Sequence, residues 1–374
     1  MSLLPRTDRS WTAQWVWTVD RVTVGAVVAL VVFGLILIAT AGPAVAELNG
    51  APRFHFLFKH ALFLPVAIAL LMVCALLSPV QVLQTAGLVC AGALLLTLFT
   101  ALVGPENKGA QRWLSLGFIG LQPSEFLKPG MAVVSAWLFA HYRVVVGSRA
   151  LLIAAGLLAV VVGALLLQPD VGMSFMVVSV WFGQFTLAGM PLAALAGLVL
   201  AAGAGGVLAY LGFSHVSSRV DTFINGVGGD RYQIGRSLES FKQGGLVGQG
   251  PGEGTVKETL PDAHADFIFA VLGEEFGLLV CIAVLGLYGL IVCRGAFRLM
   301  AEENLFAFLA VSGLLASFGL QAFINMASAL EVIPTKGTTL PFLSYGGSSL
   351  FAASITLGFV LALNRRRDGQ AEVL

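Results

Sequence analysis

The chain has 374 residues, of which 57% are hydrophobic and only 11% charged, with a formal net charge of +1. A soluble chain of this size carries about 25% charged residues, so a soluble globular protein is excluded, and the balanced charge leaves no bulk field for nucleic acid. Several apolar runs reach the ~20 residues that cross a bilayer as a helix, and they lack the alternation of a membrane β-barrel.

The expected fold class is an all-α polytopic membrane protein. Hydrophobic runs predict ten transmembrane helices, over roughly 22–41, 55–77, 80–103, 123–141, 150–167, 171–188, 192–212, 266–293, 305–330 and 345–363. The first run is followed by Ala44-Val45-Ala46, which resembles a signal-peptide cleavage site. The run is long for a signal peptide and reads as a retained span. No repeat interrupts the chain, so 1–374 is expected to form a single membrane domain with tails at 1–21 and 364–374 and a large loop at 213–265, between helices 7 and 8. The four cysteines, Cys74, Cys90, Cys281 and Cys293, lie inside apolar runs and read as small buried hydrophobes.

Orientation follows from Lys and Arg in the short loops and tails. An even number of spans puts both termini on one side, together with Arg6, Arg9, Arg21, Arg143, Arg149, Arg294, Arg298 and Arg365-Arg366-Arg367. That side is assigned to the cytoplasm. The polar and glycine-rich segments 104–122, 168–170, 213–265 and 331–344 then fall on the outer side.

The first polar motif in chain order is "GAQRWLSLGFIGLQPSEFLKPG", Gly109 to Gly130. Pro123 and Glu125 have the pattern of a helix start. Glu125 and Lys128, spaced i,i+3, can form a structural ion pair or line a pocket at membrane depth. "QPDVG", Gln168 to Gly172, repeats the Gln-Pro-acid pattern, so Asp170 is either a helix cap or one wall of a shared cavity. "GGLVGQGPGEG", Gly244 to Gly254, resembles a phosphate cradle without the Lys-Ser/Thr of a nucleotide loop. It can act as a flexible lid, as backbone donors to a lipid diphosphate, or as a plain mobile loop.

"LPDAHADFIFAVLGEEFG", Leu260 to Gly277, places five ionisable groups before eighteen uncharged residues, Phe276 to Cys293. Asp262 and His264 read as loop residues, and Asp266 as the start of a helix with Glu274 about 12 Å further along its face. Turns from Asp266 to Glu275 can line a watery vestibule, with Asp266 a candidate general base. The alternative is an acid that merely favours the helix dipole. "EVIPTKGTTLPFLSYGGSS", Glu331 to Ser349, breaks the apolar pattern again. Irregular backbone at this depth survives only where protein or water satisfies it. Lys336 offers a cation for an anionic headgroup, and Ser344, Tyr345, Ser348 and Ser349 offer hydroxyls. His264 as a metal ligand rests on one imidazole and scattered carboxylates. A divalent cation bridging carboxylate and diphosphate is compatible chemistry.

Together "GAQRWLSLG", "LQPSEFLK", "QPDVG", "GGLVGQGPGEG", "LPDAHADFIFAVLGEE" and "PTKGTTLPFLSYGGSS" resemble the SEDS family over nearly the whole chain, from about Arg21 to Arg367. The resemblance implies ten transmembrane helices, a large outer loop before the eighth, and glycosyltransferase activity that polymerises lipid II into peptidoglycan. It also implies work with a class B penicillin-binding protein and other divisome proteins. Asp266 takes the position of the family's essential aspartate, with Ala265 replacing a threonine in the motif. Lys128, Asp170 and Lys336 match further family positions, and Glu258 matches a loop position linked to activation. Arg112, Trp113, Glu125, Ser344, Tyr345 and Ser348 join these as expected substrate-binding residues. No metal ligand is assigned beyond Asp266 as a candidate for Mg or Mn. The motifs and Trp11, Trp15 and Trp17 are more similar to the division branch than to the elongation branch, so an inner-membrane protein at the septum is expected. A lipid II flippase and a non-catalytic scaffold are the competing classes. Transport calls for polar groups facing both sides and repeat symmetry, which the sequence lacks.

Overall fold

The computed structural model describes residues 19–106, 110–117, 119–145, 149–189, 192–225, 230–334 and 336–365. Arg6, Arg9, Arg366 and Arg367 of the orientation count, and Trp11, Trp15 and Trp17, lie outside them. Helices occupy all ten predicted intervals: α1 (Arg21–Leu48), α2 (His55–Leu76), α3 (Pro79–Val103), α4 (Ser124–Val144), α5 (Ala150–Leu167), α6 (Val171–Leu187) and α7 (Leu192–Gly212), then α10 (Ile268–Leu299), α11 (Leu305–Ala329) and α12 (Gly347–Leu363). Among the described residues, α1, α2, α3, α5, α10 and α11 are long and apolar enough to cross a membrane, while α6 and α12 are shorter apolar helices. The chain is therefore an all-α polytopic membrane protein. α1 runs unbroken through Ala44-Val45-Ala46, beyond its predicted end.

Two of the segments between the predicted spans carry structure of their own. The segment 213–265 is not irregular throughout. It contains α8 (Ser214–Asn225), α9 (Asp230–Gly244) and a 3₁₀ turn at Val256–Glu258. Buried Ile234, Ser237 and Gly244 recur along α9 at helical spacing, a polar amphipathic pattern that an apolar-run search passes over. The segment 104–122 carries a short antiparallel hairpin, β1 (Leu114–Leu116) with β2 (Ile119–Leu121), in register Leu114 to Leu121.

α4 and α11 form the centre. α4 packs on α3, α5, α6, α11 and α12, and most of its residues are buried. Small residues permit close backbone approach. A Cβ on Gly130 would lie 2.8 Å from Cys90 Cβ on α3, and one on Gly358 of α12 would lie 2.4 Å from Cys74 Cβ on α2. At one end of the bundle Asp20 is buried against Arg294 and Arg298, at 3.1 and 3.2 Å, which ties the start of α1 to the end of α10. The starts of α4, α6, α10 and α12 and the end of α11 gather at the other end.

α10 is broken there. Gly277 has φ +75 and ψ −179, which interrupts the helical ladder, and the chain from Gly245 to Gly250 splices into the gap. Gln249 N–H and Gly250 N–H donate to the Glu274 and Glu275 carbonyls at 3.0 and 2.9 Å. Leu278 N–H and Leu279 N–H donate to the Gly245 and Leu246 carbonyls at 2.9 and 3.2 Å. Four groups orphaned by the break are thus paired, as apolar surroundings require. Backbone lies against backbone, so glycine is needed: a Cβ on Gly248 would lie 2.2 Å from the Glu275 carbonyl oxygen. The glycines of "GGLVGQG" therefore serve the splice. The amides of Gly245, Gly248 and Gly250 are bonded inside the protein, so these three are not available to cradle a phosphate.

Candidate active site

Asp266 is not in the helix. It lies in a turn run from Pro261 to Phe267, and α10 begins at Ile268. Several bonds hold this turn. Tyr345 N–H donates to the His264 carbonyl at 2.9 Å, Ser344 Oγ to the Ala265 carbonyl at 2.6 Å, and Asn325 Nδ2 to the Asp266 carbonyl at 2.8 Å. The His264 ring is buried between Phe56, at 4.1 Å, and Tyr345, at 5.3 Å between centroids. Burial holds its imidazole down to about 4, against the pull of Asp262. It is neutral at ordinary pH.

The 336–346 segment packs against this turn. A Cβ on Gly337 would lie 3.1 Å from the Asp266 carboxylate, and one on Gly172 would lie 2.2 Å from Lys336 Cε. The Lys336-Gly337 step therefore spans from the start of α6 to Asp266. Lys336 is half-buried, with Asp170, Lys128, Glu125 and Arg112 as its electrostatic neighbours. Burial pushes its ammonium down to about 7, and the Asp170 and Glu125 carboxylates oppose that shift.

The remaining expected residues surround this centre. Asp170 caps α6 by accepting from Met173 N–H at 3.1 Å, and its carboxylate lies 3.8 Å from Arg112 Nε. The helix-cap reading therefore holds, and the same carboxylate faces Arg112. Arg112 also donates to the carbonyls of Gln168, at 3.3 Å, and Pro169. Trp113 is exposed at the start of the hairpin, its indole against Gly120. Glu125 and Lys128 form the buried i,i+3 pair at 2.7 Å. Lys128 Nζ further donates to Gln321 Oε1 at 2.5 Å, and Gln321 Nε2 donates to the Thr339 carbonyl and to Ser349 Oγ.

Some expected residues have other surroundings. Ser344 and Ser348 are buried, and each hydroxyl is engaged internally, Ser348 Oγ accepting from Gln122 N–H at 2.9 Å. Glu274 and Glu275 are 0% and 1% exposed and do not line a vestibule. Glu274 accepts from Val256 N–H and Lys257 N–H, at 2.7 and 3.1 Å, and Glu275 pairs with buried Lys257 at 2.5 Å. Through these contacts they clamp the 3₁₀ turn to α10. Glu258 lines a separate cavity of about 570 Å³ with Thr40, Glu47, Arg53 and Lys257.

Sequence reasoning missed Gln321 and Asn325, neutral amides inside an apolar run. Their i,i+4 spacing within a membrane helix was the available signal. Among the described residues no group of three or more His, Cys, Asp or Glu side chains could hold a metal. The centre mixes three carboxylates, Asp170, Glu125 and Asp266, with three cations, Arg112, Lys128 and Lys336, and the cations already neutralise the charge that a divalent ion would need.

The FtsW/RodA/SpoVE family model, described as cell cycle protein, matches residues 21–369. The chain is 40% identical over 365 residues to the "Probable peptidoglycan glycosyltransferase FtsW" of Caulobacter vibrioides, covering 97% of this chain and 94% of that one. It is 34% identical to the protein of the same name from Halothiobacillus neapolitanus, covering 95% and 88%. Among solved structures it is similar to a chain of "Structural coordination of polymerization and crosslinking by a peptidoglycan synthase complex", at 28% identity and TM-score 0.77, covering 92% of this chain and 97% of that chain. The rod shape determining protein RodA of Thermus thermophilus aligns at 28% identity and TM-score 0.67, covering 92% and 96%. By its matched motifs, its length and its fold, the chain belongs to the FtsW/RodA/SpoVE family, the SEDS family.

Proposed function

We propose that the chain is a division-branch peptidoglycan glycosyltransferase that polymerises lipid II into glycan strands. Ten helices cross the inner membrane, both tails are cytoplasmic, and the Asp266 end of the bundle faces the periplasm at the septum. The whole chain acts as a single SEDS-type domain beside a class B penicillin-binding protein and other divisome proteins. Support for the division branch comes from the names of the curated relatives. Support for a synthase partner comes from the similar solved chain, which belongs to a peptidoglycan synthase complex.

The observation that carries the catalytic reading is the closeness of the Asp266 carboxylate to the Lys336-Gly337 step. Asp266 takes the proton from the 4-hydroxyl of the acceptor sugar. That oxygen attacks C1 of the donor sugar from the face opposite the diphosphate, so the configuration inverts. The C1–O bond to undecaprenyl diphosphate breaks, and the electron pair leaves with the lipid. A diphosphate leaves as a stable anion and needs positive charge more than a proton. One carboxylate therefore suffices where a glycoside hydrolase uses two. Lys336 supplies that charge. Arg112 and Lys128 act at one remove, because their donors hold the Gln168-Pro169 turn and Gln321.

The test separates polymerisation from transport. The purified chain with its partner synthase is given lipid II in vesicles, and glycan chains and lipid translocation are measured in parallel. Glycan chains made by the wild type and lost in Asp266→Asn support the polymerase. Translocation without chain formation would mark a flippase, and glycan chains undiminished in Asp266→Asn would mark a scaffold.

A further inference from the structure

The splice at Gly277 leaves one feature unexplained. The turn that enters the break carries Leu246 and Val247 at its tip, and these are 65% and 77% exposed. Scattered exposed apolar residues are ordinary. These two are consecutive, and their height in the bundle is set by backbone hydrogen bonds. Leu246 accepts from Leu279 N–H at 3.2 Å, and its neighbour Gly245 accepts from Leu278 N–H at 2.9 Å. The tip is therefore level with the first turn of the uncharged run Phe276 to Cys293.

That run fixes the depth. Eighteen residues at a rise of 1.5 Å span about 27 Å, slightly less than the ~30 Å hydrocarbon core. To cover the core, α10 must place Leu278 and Leu279 inside the hydrocarbon, and whatever is bonded to them lies at the same depth. The outward face supports this. Leu278, Leu279, Ile282 and Leu285 are all exposed along α10, and Leu246 and Val247, exposed as well, sit beside Leu278 and Leu279 through the backbone bonds at the break. No polar backbone is stranded, since the groups opened at Gly277 are paired by the splice.

We propose that Leu246 and Val247 form a membrane anchor, a re-entrant tip whose side chains insert among lipid acyl chains in the leaflet on the Asp266 side. A segment that would otherwise be assigned to water is thereby held in the bilayer. Because Gln249 and Gly250 donate to the carbonyls of Glu274 and Glu275, the anchor also fixes the clamp on Val256 and Lys257. The 3₁₀ turn that carries Glu258 cannot lift away as a free flap while the tip remains in lipid.

The experiment uses the full chain in nanodiscs, with Cys293→Ser removing the one exposed cysteine among the described residues. An environment-sensitive fluorophore is attached at Val247→Cys, with Leu279→Cys as a lipid reference and Lys242→Cys as a water reference. Quenching by doxyl-labelled lipid is compared with quenching by iodide. The anchor predicts that the Val247 label follows Leu279, losing most of its emission to doxyl lipid and little to iodide. A label quenched by iodide like Lys242 overturns the proposal. A label protected from both quenchers also overturns it, in favour of a protein surface covering the tip.

Discussion

Asn325 Nδ2 donates to the backbone carbonyl of Asp266 at 2.8 Å and also to the carbonyl of Thr338. One buried amide on α11 thus fixes the separation between the turn that carries the carboxylate and the segment that carries Lys336. Gln321, one turn earlier, ties Lys128 to Thr339 and Ser349. α11 therefore acts as the ruler of the site.

Replacing Asn325 by Ala leaves two buried carbonyls without their donor, a cost of about 1–3 kcal/mol each. Turnover of lipid II should fall about 10- to 100-fold, at 1.4 kcal/mol per factor of ten, while the Michaelis constant stays near wild type. Steady-state kinetics with the partner present checks this. An unchanged turnover would show that Asp266 keeps its place without the amide.

Lys336 gives a pH dependence. Its ordinary value of 10.5 is lowered to about 7 by burial, so the charged form is lost as pH rises through that value. Affinity for the lipid diphosphate should weaken as pH rises through about 7. Lys336→Arg stays charged and should hold its affinity to higher pH, with a flatter Michaelis constant across the range.

The splice predicts a contrast between glycines. Gly248→Ala puts a methyl 2.2 Å from the Glu275 carbonyl oxygen at φ +83. Strain of this kind costs about 1–3 kcal/mol, and the thermal midpoint in detergent should drop. Gly286→Ala, with nothing within 4 Å of its Cβ, should leave the midpoint close to wild type.

Lys257 and Glu275 are almost fully buried at 2.5 Å. Removing one partner of such a pair costs about 3–5 kcal/mol, whereas replacing both with apolar residues is often neutral. Lys257→Met should destabilise strongly, and Lys257→Met with Glu275→Leu should recover part of the loss. Thermal melts of the two variants decide it.

The six long apolar helices were readable because apolar length alone specifies them, and Asp266, Lys336, Asp170 and the Glu125–Lys128 pair were readable as charges where charges are costly. The glycine segment was misread because its partner is backbone about thirty residues away, and backbone leaves no trace in composition. Glu274 and Glu275 looked like site residues because helix periodicity was extended back to Asp266. The helix starts two residues later, and both acids turn to the loop. Gln321 and Asn325 passed unseen because uncharged amides barely lower an apolar average.

The most direct measurement compares Asp266→Asn with wild type in single-turnover polymerisation, with lipid II binding measured on the same preparations. Loss of a general base predicts binding close to wild type and turnover reduced about 10²- to 10⁴-fold. Glycan chains formed by Asp266→Asn at the wild-type rate would contradict the assignment of Asp266 as the base.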